Sequence, residues 1–467
     1  MKLNLHRLRP MIAALALLAA PFVCAGTPAA APPSGPAAHS GALDKGAYLA
    51  RVGDCVACHT APNGRPFAGG LSLATPFGTL YSTNITPDAK TGIGSWRYED
   101  FARAVREGVA KDGHRLYPAM PYPSYAKVDE ADMRALYAYV MHGVAPVAAV
   151  NREDRLRFPY SIRPLMRFWN ALYARGKPYA DDPRRNVEWN RGAYLVQGLA
   201  HCGACHTPRG SFGQEAAFDE RGSEAFLSGG SVAGWYAPSL REHPAGGASA
   251  SKVALSAYLR SGRSADGAAF GPMTEVIDHS LQYLSDEDLD AIAAYLSSPP
   301  LGGRPGESRA PPAARDDANT ALALRAGHPA NAGAWLYLNN CSACHRSDGA
   351  GAMPTFPGLA GNAAVLGANP DSLIHLVLSG SHMPSTSRAP TPLAMPAFGW
   401  RLSDAQVAEV LSFVRASWGQ PGKRRERRGG EPRARARAGF AMSQRHGLKS
   451  KCRHFDRNSL VFPNGGG

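Results

Sequence analysis

Six of the eight cysteines in this chain fall in pairs, and each pair is followed at once by a histidine. The runs are Cys55-Val56-Ala57-Cys58-His59, Cys202-Gly203-Ala204-Cys205-His206 and Cys341-Ser342-Ala343-Cys344-His345. C-x-x-C-H is the attachment pattern of haem c. Two thiols add across the vinyl groups of one macrocycle, and the adjacent histidine is placed to ligate the iron. A structural zinc site needs four converging ligands, whereas each cluster offers three. Paired cysteines in an exported chain would ordinarily suggest disulfides, but neither a disulfide nor a dithiol redox pair needs a histidine at that position three times. The expectation is three covalently bound haem c groups. Cys55, Cys58, Cys202, Cys205, Cys341 and Cys344 would form the thioethers, and His59, His206 and His345 would be the first axial ligands.

A low-spin electron-transfer haem also needs a sixth ligand. Methionine suits it, because a soft thioether favours ferrous iron and raises the potential. Met120 lies in Tyr117-Pro118-Ala119-Met120-Pro121, 61 residues after His59. Met273 follows Gly271-Pro272, 67 residues after His206, and Met395 stands in Ala394-Met395-Pro396-Ala397, 50 residues after His345. Each falls on an expected loop shortly before a helix, with prolines that stiffen it. Met383 and Met353 are the rivals to Met395, and both lie further from that helix. His142, His201, His279 and His375 read as packing or surface residues. His114 is a possible propionate partner, and Asn84-Ile85-Thr86-Pro87 reads either as a loop clothing the propionates or as a plain turn.

The elements that must position these groups repeat as well. Gly46-Ala47-Tyr48-Leu49, Gly192-Ala193-Tyr194-Leu195 and Gly333-Ala334-Trp335-Leu336 each precede a cysteine motif and read as a short helix leading into it. Closing helices are expected over about 129–143, 285–297 and 403–417. Ser285 with Asp288 and Ser403 with Gln406 have the spacing of capping boxes. Tyr137, Tyr139, Tyr295 and Phe413 fall at helical spacing among aliphatic residues and read as core. The fold class is mainly α: three tandem class I-like cytochrome c domains with long loops and connecting linkers. The boundaries are 40–145, 189–299 and 331–419, with linkers at 146–188 and 300–330. Within the first linker, Pro164–Ala174 reads as a helix with Leu165, Phe168, Trp169, Leu172 and Tyr173 on one face. That stripe fits either packing against the cytochrome domains or docking on a partner or membrane surface. The second linker, rich in Pro, Gly and Ala, reads as a looser hinge.

The chain has 467 residues, with 51 Lys+Arg against 37 Asp+Glu, a formal charge of +14. Residues 1–25 hold three basic and no acidic residues, and 420–467 hold 13 basic and three acidic. The intervening body carries 35 basic and 34 acidic residues, which removes the electrostatic argument for a nucleic-acid partner. Residues 1–25 read as a secretory signal peptide: Lys2, Arg7 and Arg9, then apolar Met11–Val23, then Val23-Cys24-Ala25 before Gly26. A lipoprotein with Cys24 acylated is the weaker reading. The basic tail, 420–467, reads as a disordered extension more readily than as a polybasic arm for anionic lipid. Gly 50 and Pro 38 exceed the ordinary combined share of about 12% and imply loop-rich domains.

Several runs resemble the triheme cytochrome c subunits of bacterial membrane-bound dehydrogenases, such as the alcohol and gluconate dehydrogenase cytochromes. They are Tyr117–Tyr122, Trp189-Asn190-Arg191-Gly192-Ala193-Tyr194-Leu195, His201-Cys202 and Met395-Pro396-Ala397-Phe398-Gly399-Trp400. The resemblance covers about 44–419, and Phe398–Asp404 leans toward the alcohol branch. It implies a periplasmic electron-transfer subunit without its own substrate chemistry, attached peripherally to the inner membrane. The partners it implies are a catalytic subunit carrying pyrroloquinoline quinone or FAD, a small third subunit in some members, and ubiquinone. The Arg-rich tail departs from that family pattern. Two alternatives remain: a carrier donating directly to an oxidase, and a haem peroxidase with an open iron position.

Overall fold

A computed structural model describes residues 36–418, apart from 175, 222, 242–250, 265–266, 300 and 302–316. The expected export signal, most of the second linker and the basic tail lie outside the described residues. Helices dominate, and strand is confined to short antiparallel pieces.

The described chain divides into two compact units. One comprises residues up to Arg185 with Ala193–His201 and His279–Ser285; the other comprises Asn186–Gly192, Cys202–Asp278 and the residues from Asp286 onward. The first cysteine motif lies in the former, and the second and third lie in the latter.

One construction recurs in all three repeats. A leading helix enters the cysteine motif: Pro36–Val52, Val187–Gln197 and Ala332–Asn340. A closing helix crosses it: Glu130–His142, Asp286–Ser297 and Asp404–Ala416. The crossing is so close that a side chain on the leading helix has no room. A Cβ on Gly46 would stand 2.1 Å from the Ala135 carbonyl oxygen and 2.5 Å from Cβ of Tyr139. On Gly192 it would stand 2.0 Å from the Ala291 oxygen and 2.8 Å from Cβ of Tyr295. On Gly333 it would stand 2.5 Å from the Glu409 oxygen and 2.9 Å from Cβ of Phe413. In every repeat the glycine rides over a backbone carbonyl, and an aromatic residue four positions later closes the contact.

The cores gather around these crossings. Leu49, Val52, Met133, Leu136 and Val140 are buried in the first repeat, and Leu289, Ile292 and Tyr295 in the second. Tyr337 packs with Val407, Val410, Val414 and Trp418 in the third. The Trp189 and Tyr295 rings meet edge to face at 5.0 Å, as Tyr337 and Trp418 do at 5.2 Å.

Capping fixes where the closing helices start. Asp129 Oδ1 accepts from the Asp132 amide at 2.7 Å. Ser403 and Gln406 form both bonds of a capping box. In the second repeat both Asp288 oxygens accept from the Arg191 guanidinium at 2.7 Å, and the Ser285 amide donates to the Tyr48 hydroxyl at 3.2 Å.

In the first repeat, strands Ser72–Thr75, Gly78–Tyr81 and Arg155–Leu156 form an antiparallel sheet, with Leu73 opposite Leu80 and Thr79 opposite Arg155. Gly78 has φ 134°, and a Cβ there would meet the Arg155 carbonyl oxygen at 2.4 Å. The sheet thereby brings the first linker back onto its own domain. That linker forms a 3-10 turn, Arg163–Leu165, and a helix, Met166–Tyr173. It packs through Asn170 and Trp169, leaving Leu165, Phe168 and Leu172 exposed. The second linker carries a helix over Asp317–Arg325 that its composition did not suggest.

Alanine usually stabilises a helix interior by about 1 kcal/mol relative to glycine. Overpacking against backbone outweighs that, so Gly46→Ala, Gly192→Ala and Gly333→Ala should each destabilise by about 1–3 kcal/mol. Chemical unfolding of the variants checks this; a gain in stability at these positions would contradict the packing.

Candidate functional site

The three cysteine motifs share one local geometry. Each is a single helical turn: Cys55–Cys58, Gly203–His206 and Ser342–His345. The amide of each histidine donates to the carbonyl of the first cysteine in its run, at 3.0, 3.0 and 2.9 Å. The turn therefore presents two sulfurs and an imidazole on one short stretch of backbone. None of these six cysteines is in a disulfide.

Each imidazole is fixed by a second bond. Nδ1 of His59 lies 2.7 Å from the Thr83 carbonyl oxygen, Nδ1 of His206 lies 2.8 Å from that of Pro238, and Nδ1 of His345 lies 2.8 Å from that of Pro357. A carbonyl oxygen only accepts, so Nδ1 carries the proton and Nε2 keeps its lone pair. Burial holds all three imidazoles below their ordinary pKa, which favours the neutral, ligating form. A backbone acceptor on the far nitrogen also sets ring orientation and raises ligand basicity.

The sulfurs fit a covalent partner. Burial, with smaller contributions from Asp54 at Cys55 and from the second cysteine of each pair, pushes the Cys55, Cys202 and Cys341 thiols up to about 12. A thioether carries no charge, so the burial that penalises a thiolate costs it nothing. Two alkylatable sulfurs beside a neutral imidazole with Nε2 free are the donor set that haem c requires.

In the first repeat the acceptor carbonyl is held by Asn84, which is 1% exposed. Its Nδ2 donates to the Val147 and Ala149 carbonyls at 2.8 and 3.2 Å and to Thr91 Oγ1 at 3.2 Å. Its Oδ1 accepts from the Thr86 amide at 2.9 Å and hydroxyl at 2.7 Å. Asn84 and Thr86 are therefore buried tie points of the turn that offers Thr83 to His59, which favours the plain-turn reading over a propionate loop. His114 is bonded to Asp112 at 2.5 Å.

The methionines occupy three kinds of backbone. Met120 lies in the turn before the short helix Tyr122–Tyr125. Met273 is in the first turn of a helix, Pro272–His279, rather than on the expected loop. Pro272 suits a first helical position because its missing amide would be unpaired there anyway. Met395 is in a two-residue strand paired with Ser381. Its rival Met383 is buried nearby, its amide donating to the Leu393 carbonyl at 2.9 Å. The Met273 and Met395 segments are neighbours in the second unit. The Gly271 amide donates to Ser381 Oγ, and Thr274 Oγ1 donates to the His382 carbonyl, both at 2.9 Å. Beside them the Trp235 and His375 rings stack at 4.2 Å, so His375 is a packing residue. His201 packs its ring on Tyr125 at 5.6 Å, with Nδ1 donating to the Leu199 carbonyl.

A profile of the family Cytochrome c matches residues 43–143, 190–299 and 330–418, so each match contains one Cys-x-x-Cys-His run. The chain is 49% identical over 391 residues to the gluconate 2-dehydrogenase cytochrome c subunit of Pantoea cypripedii, covering 83% of this chain and 88% of that one. It is 46% identical over 389 residues to the cytochrome c subunit of the quinone alcohol dehydrogenase of Gluconacetobacter polyoxogenes, with 82% of each covered. It is 38% identical over 418 residues to the fructose dehydrogenase cytochrome subunit of Gluconobacter japonicus, covering 85% and 84%.

Asn84→Ala removes a buried amide that donates to the Val147 and Ala149 carbonyls and accepts from Thr86. The variant should lose about 2–4 kcal/mol in chemical unfolding, and the redox titration of the His59 centre alone should move. A stability change within about 0.5 kcal/mol, the range of a surface substitution, would contradict this role.

Proposed function

The chain belongs to the cytochrome c family, together with the cytochrome c subunits of gluconate and alcohol dehydrogenases. From that premise we propose that it is the triheme electron-transfer subunit of a membrane-associated dehydrogenase, passing electrons from a catalytic subunit to ubiquinone at the periplasmic face of the inner membrane. Covalently bound haem c follows from the family; three such groups in three class I-like domains are the proposal. The observation that carries it is the threefold recurrence of one donor set, with each imidazole locked by a backbone carbonyl at 2.7–2.8 Å.

Haem c supplies a one-electron couple to each site. The chain's own residues do the rest. Cys55 and Cys58, Cys202 and Cys205, and Cys341 and Cys344 hold the macrocycles. His59, His206 and His345 would offer Nε2 to the iron, and the carbonyls of Thr83, Pro238 and Pro357 orient each ring through Nδ1. Met120, Met273 and Met395 would supply the sulfur ligands in this reading, from a turn, a helix and a strand. Ligands fixed in this way would suit electron transfer, because little would need to reorganise when the charge changes.

The partner in this reading is a quinoprotein or flavoprotein catalytic subunit, with a small third subunit in the flavoprotein case. Export by the residue 1–25 signal and peripheral attachment to the inner membrane belong to the same proposal. Phe398–Asp404 favours alcohol as the donor substrate. The 49% and 46% identities do not separate gluconate from alcohol, so gluconate is the second reading.

Ubiquinone reduction by the catalytic subunit, assayed with and without the holoprotein, tests the proposal. Turnover should depend on this chain, and Met120→Ala, Met273→Ala and Met395→Ala should each abolish the methionine-to-iron charge-transfer band of one haem. Full quinone reduction without the chain would overturn the reading. Rapid carbon monoxide binding to a native haem would instead favour an open-site enzyme.

A further inference from the structure

The first linker has a surface that the cytochrome fold does not use. Between Phe158 and Leu172 several large apolar side chains point outward while Trp169 packs inward: Phe158 is 81% exposed, Phe168 71%, Leu172 63% and Leu165 45%. Tyr160 and Ile162 are exposed as well. Leu165, Phe168 and Leu172 recur at helical spacing on the turn and helix Arg163–Tyr173. Isolated exposed apolar residues are ordinary, but a run of six on one short strap is not.

Within the run itself the charges have one sign. Residues 155–177 contain six basic residues and no acidic one. Arg155, Arg157, Arg167 and Lys177 are exposed. Arg163 is turned inward, paired with Asp154 at 2.8 Å. Aromatic and aliphatic side chains flanked by long basic ones match an anionic bilayer interface: the apolar groups reach the acyl boundary while the cations stay among the headgroups.

The strap is tied to the segment that carries Met120. Tyr117 Oη donates to the Tyr160 carbonyl at 2.8 Å, and Arg163 Nη1 donates to the Arg115 carbonyl at 2.9 Å. Tyr122 Oη donates to Asn170 Oδ1 at 2.9 Å, while Asn170 Nδ2 donates to the Glu107 carbonyl at 3.0 Å. The Tyr122 and Trp169 rings meet edge to face at 6.0 Å. Whatever holds the strap also holds the Arg115–Tyr122 loop.

We infer that the strap from Arg155 to Tyr173 docks on the anionic bilayer surface and seats the Met120 side of the first cytochrome domain against the lipid. The inference deepens the proposed function, because it makes the first domain the one that faces a lipid-dissolved acceptor. It rests on that reading for the direction of transfer, though not for the docking itself.

The test uses the full holoprotein and co-sedimentation with vesicles of phosphatidylcholine and phosphatidylglycerol, compared with phosphatidylcholine alone. Binding should need the anionic lipid and weaken with salt. The variant Phe158→Ser, Phe168→Ser, Leu172→Ser should bind roughly tenfold more weakly or worse. So should Arg155→Glu, Arg157→Glu, Arg167→Glu, which leaves the apolar residues in place. A chain ending at Trp418 should bind as the full chain does, since the strap rather than the basic tail makes the contact. Wild-type binding by both strap variants, or loss of binding only when the tail is removed, would overturn the inference. So would variants that bind vesicles normally but no longer associate with the catalytic subunit, because the strap would then be a protein-docking surface. Reduction of the same samples by the catalytic subunit, with a soluble oxidant as acceptor, reports on electron transfer by itself. Normal reduction with unaltered vesicle binding in the variants sinks the docking alone, and absent reduction with lipid binding intact in the wild type sinks the electron-transfer reading alone.

Discussion

A helix can lie on the backbone of another helix only where it has no side chain. Gly46, Gly192 and Gly333 meet that condition, each within 2.0–2.5 Å of a carbonyl oxygen measured from the Cβ it lacks. The contact sets the distance between the leading and closing helices, and the leading helix runs directly into the cysteine turn. The position of two sulfurs and one imidazole therefore depends on a residue eight to fourteen positions upstream. Glycine ordinarily costs a helix interior up to about 1 kcal/mol, and its use three times at one place shows that packing outweighs propensity here. The aromatic residue four positions after each contacted carbonyl then fills the space beside the crossing.

With the turn placed, the chemistry is decided by what each histidine's far nitrogen meets. All three meet a backbone carbonyl, so all three imidazoles are neutral, oriented and basic at Nε2. The surroundings differ from there. Thr83 is held by the buried Asn84 network, whereas Pro238 and Pro357 offer carbonyls from residues whose own φ is fixed by a ring. Met120, Met273 and Met395 sit on a turn, a helix and a strand. The fold thus repeats the donor set and varies its supports, which is how one domain type can provide centres of different potential within one chain.

What was readable in the sequence follows from which groups lie close along the chain. Cys55 to His59 span a single turn, so spacing alone carries their chemistry, as it does for the Gly-Ala-Tyr-Leu run that opens the first two repeats and recurs as Gly-Ala-Trp-Leu in the third. The closing helices and the Ser403–Gln406 capping box were equally legible, because caps and apolar period are local. The histidine acceptors were not. They stand 24, 32 and 12 residues beyond His59, His206 and His345, and a carbonyl belongs to every residue type, so no side chain marks it. Asn84 read equally as a propionate contact or a turn until its burial was known. Asp288 was readable as a capping residue, yet its carboxylate holds Arg191 from a helix almost a hundred residues away in sequence. Periodicity showed the apolar stripe of the first linker but could not show which residues face solvent, since Trp169 and Asn170 pack inward while Phe168 between them and their own helix start points out.

In the proposed function three sites each hold a covalent haem c. Mass spectrometry of proteolytic peptides from the holoprotein checks this. Each of the peptides containing Cys55–His59, Cys202–His206 and Cys341–His345 should carry a haem addition. A peptide carrying two unmodified thiols, or a disulfide between its two cysteines, would contradict it.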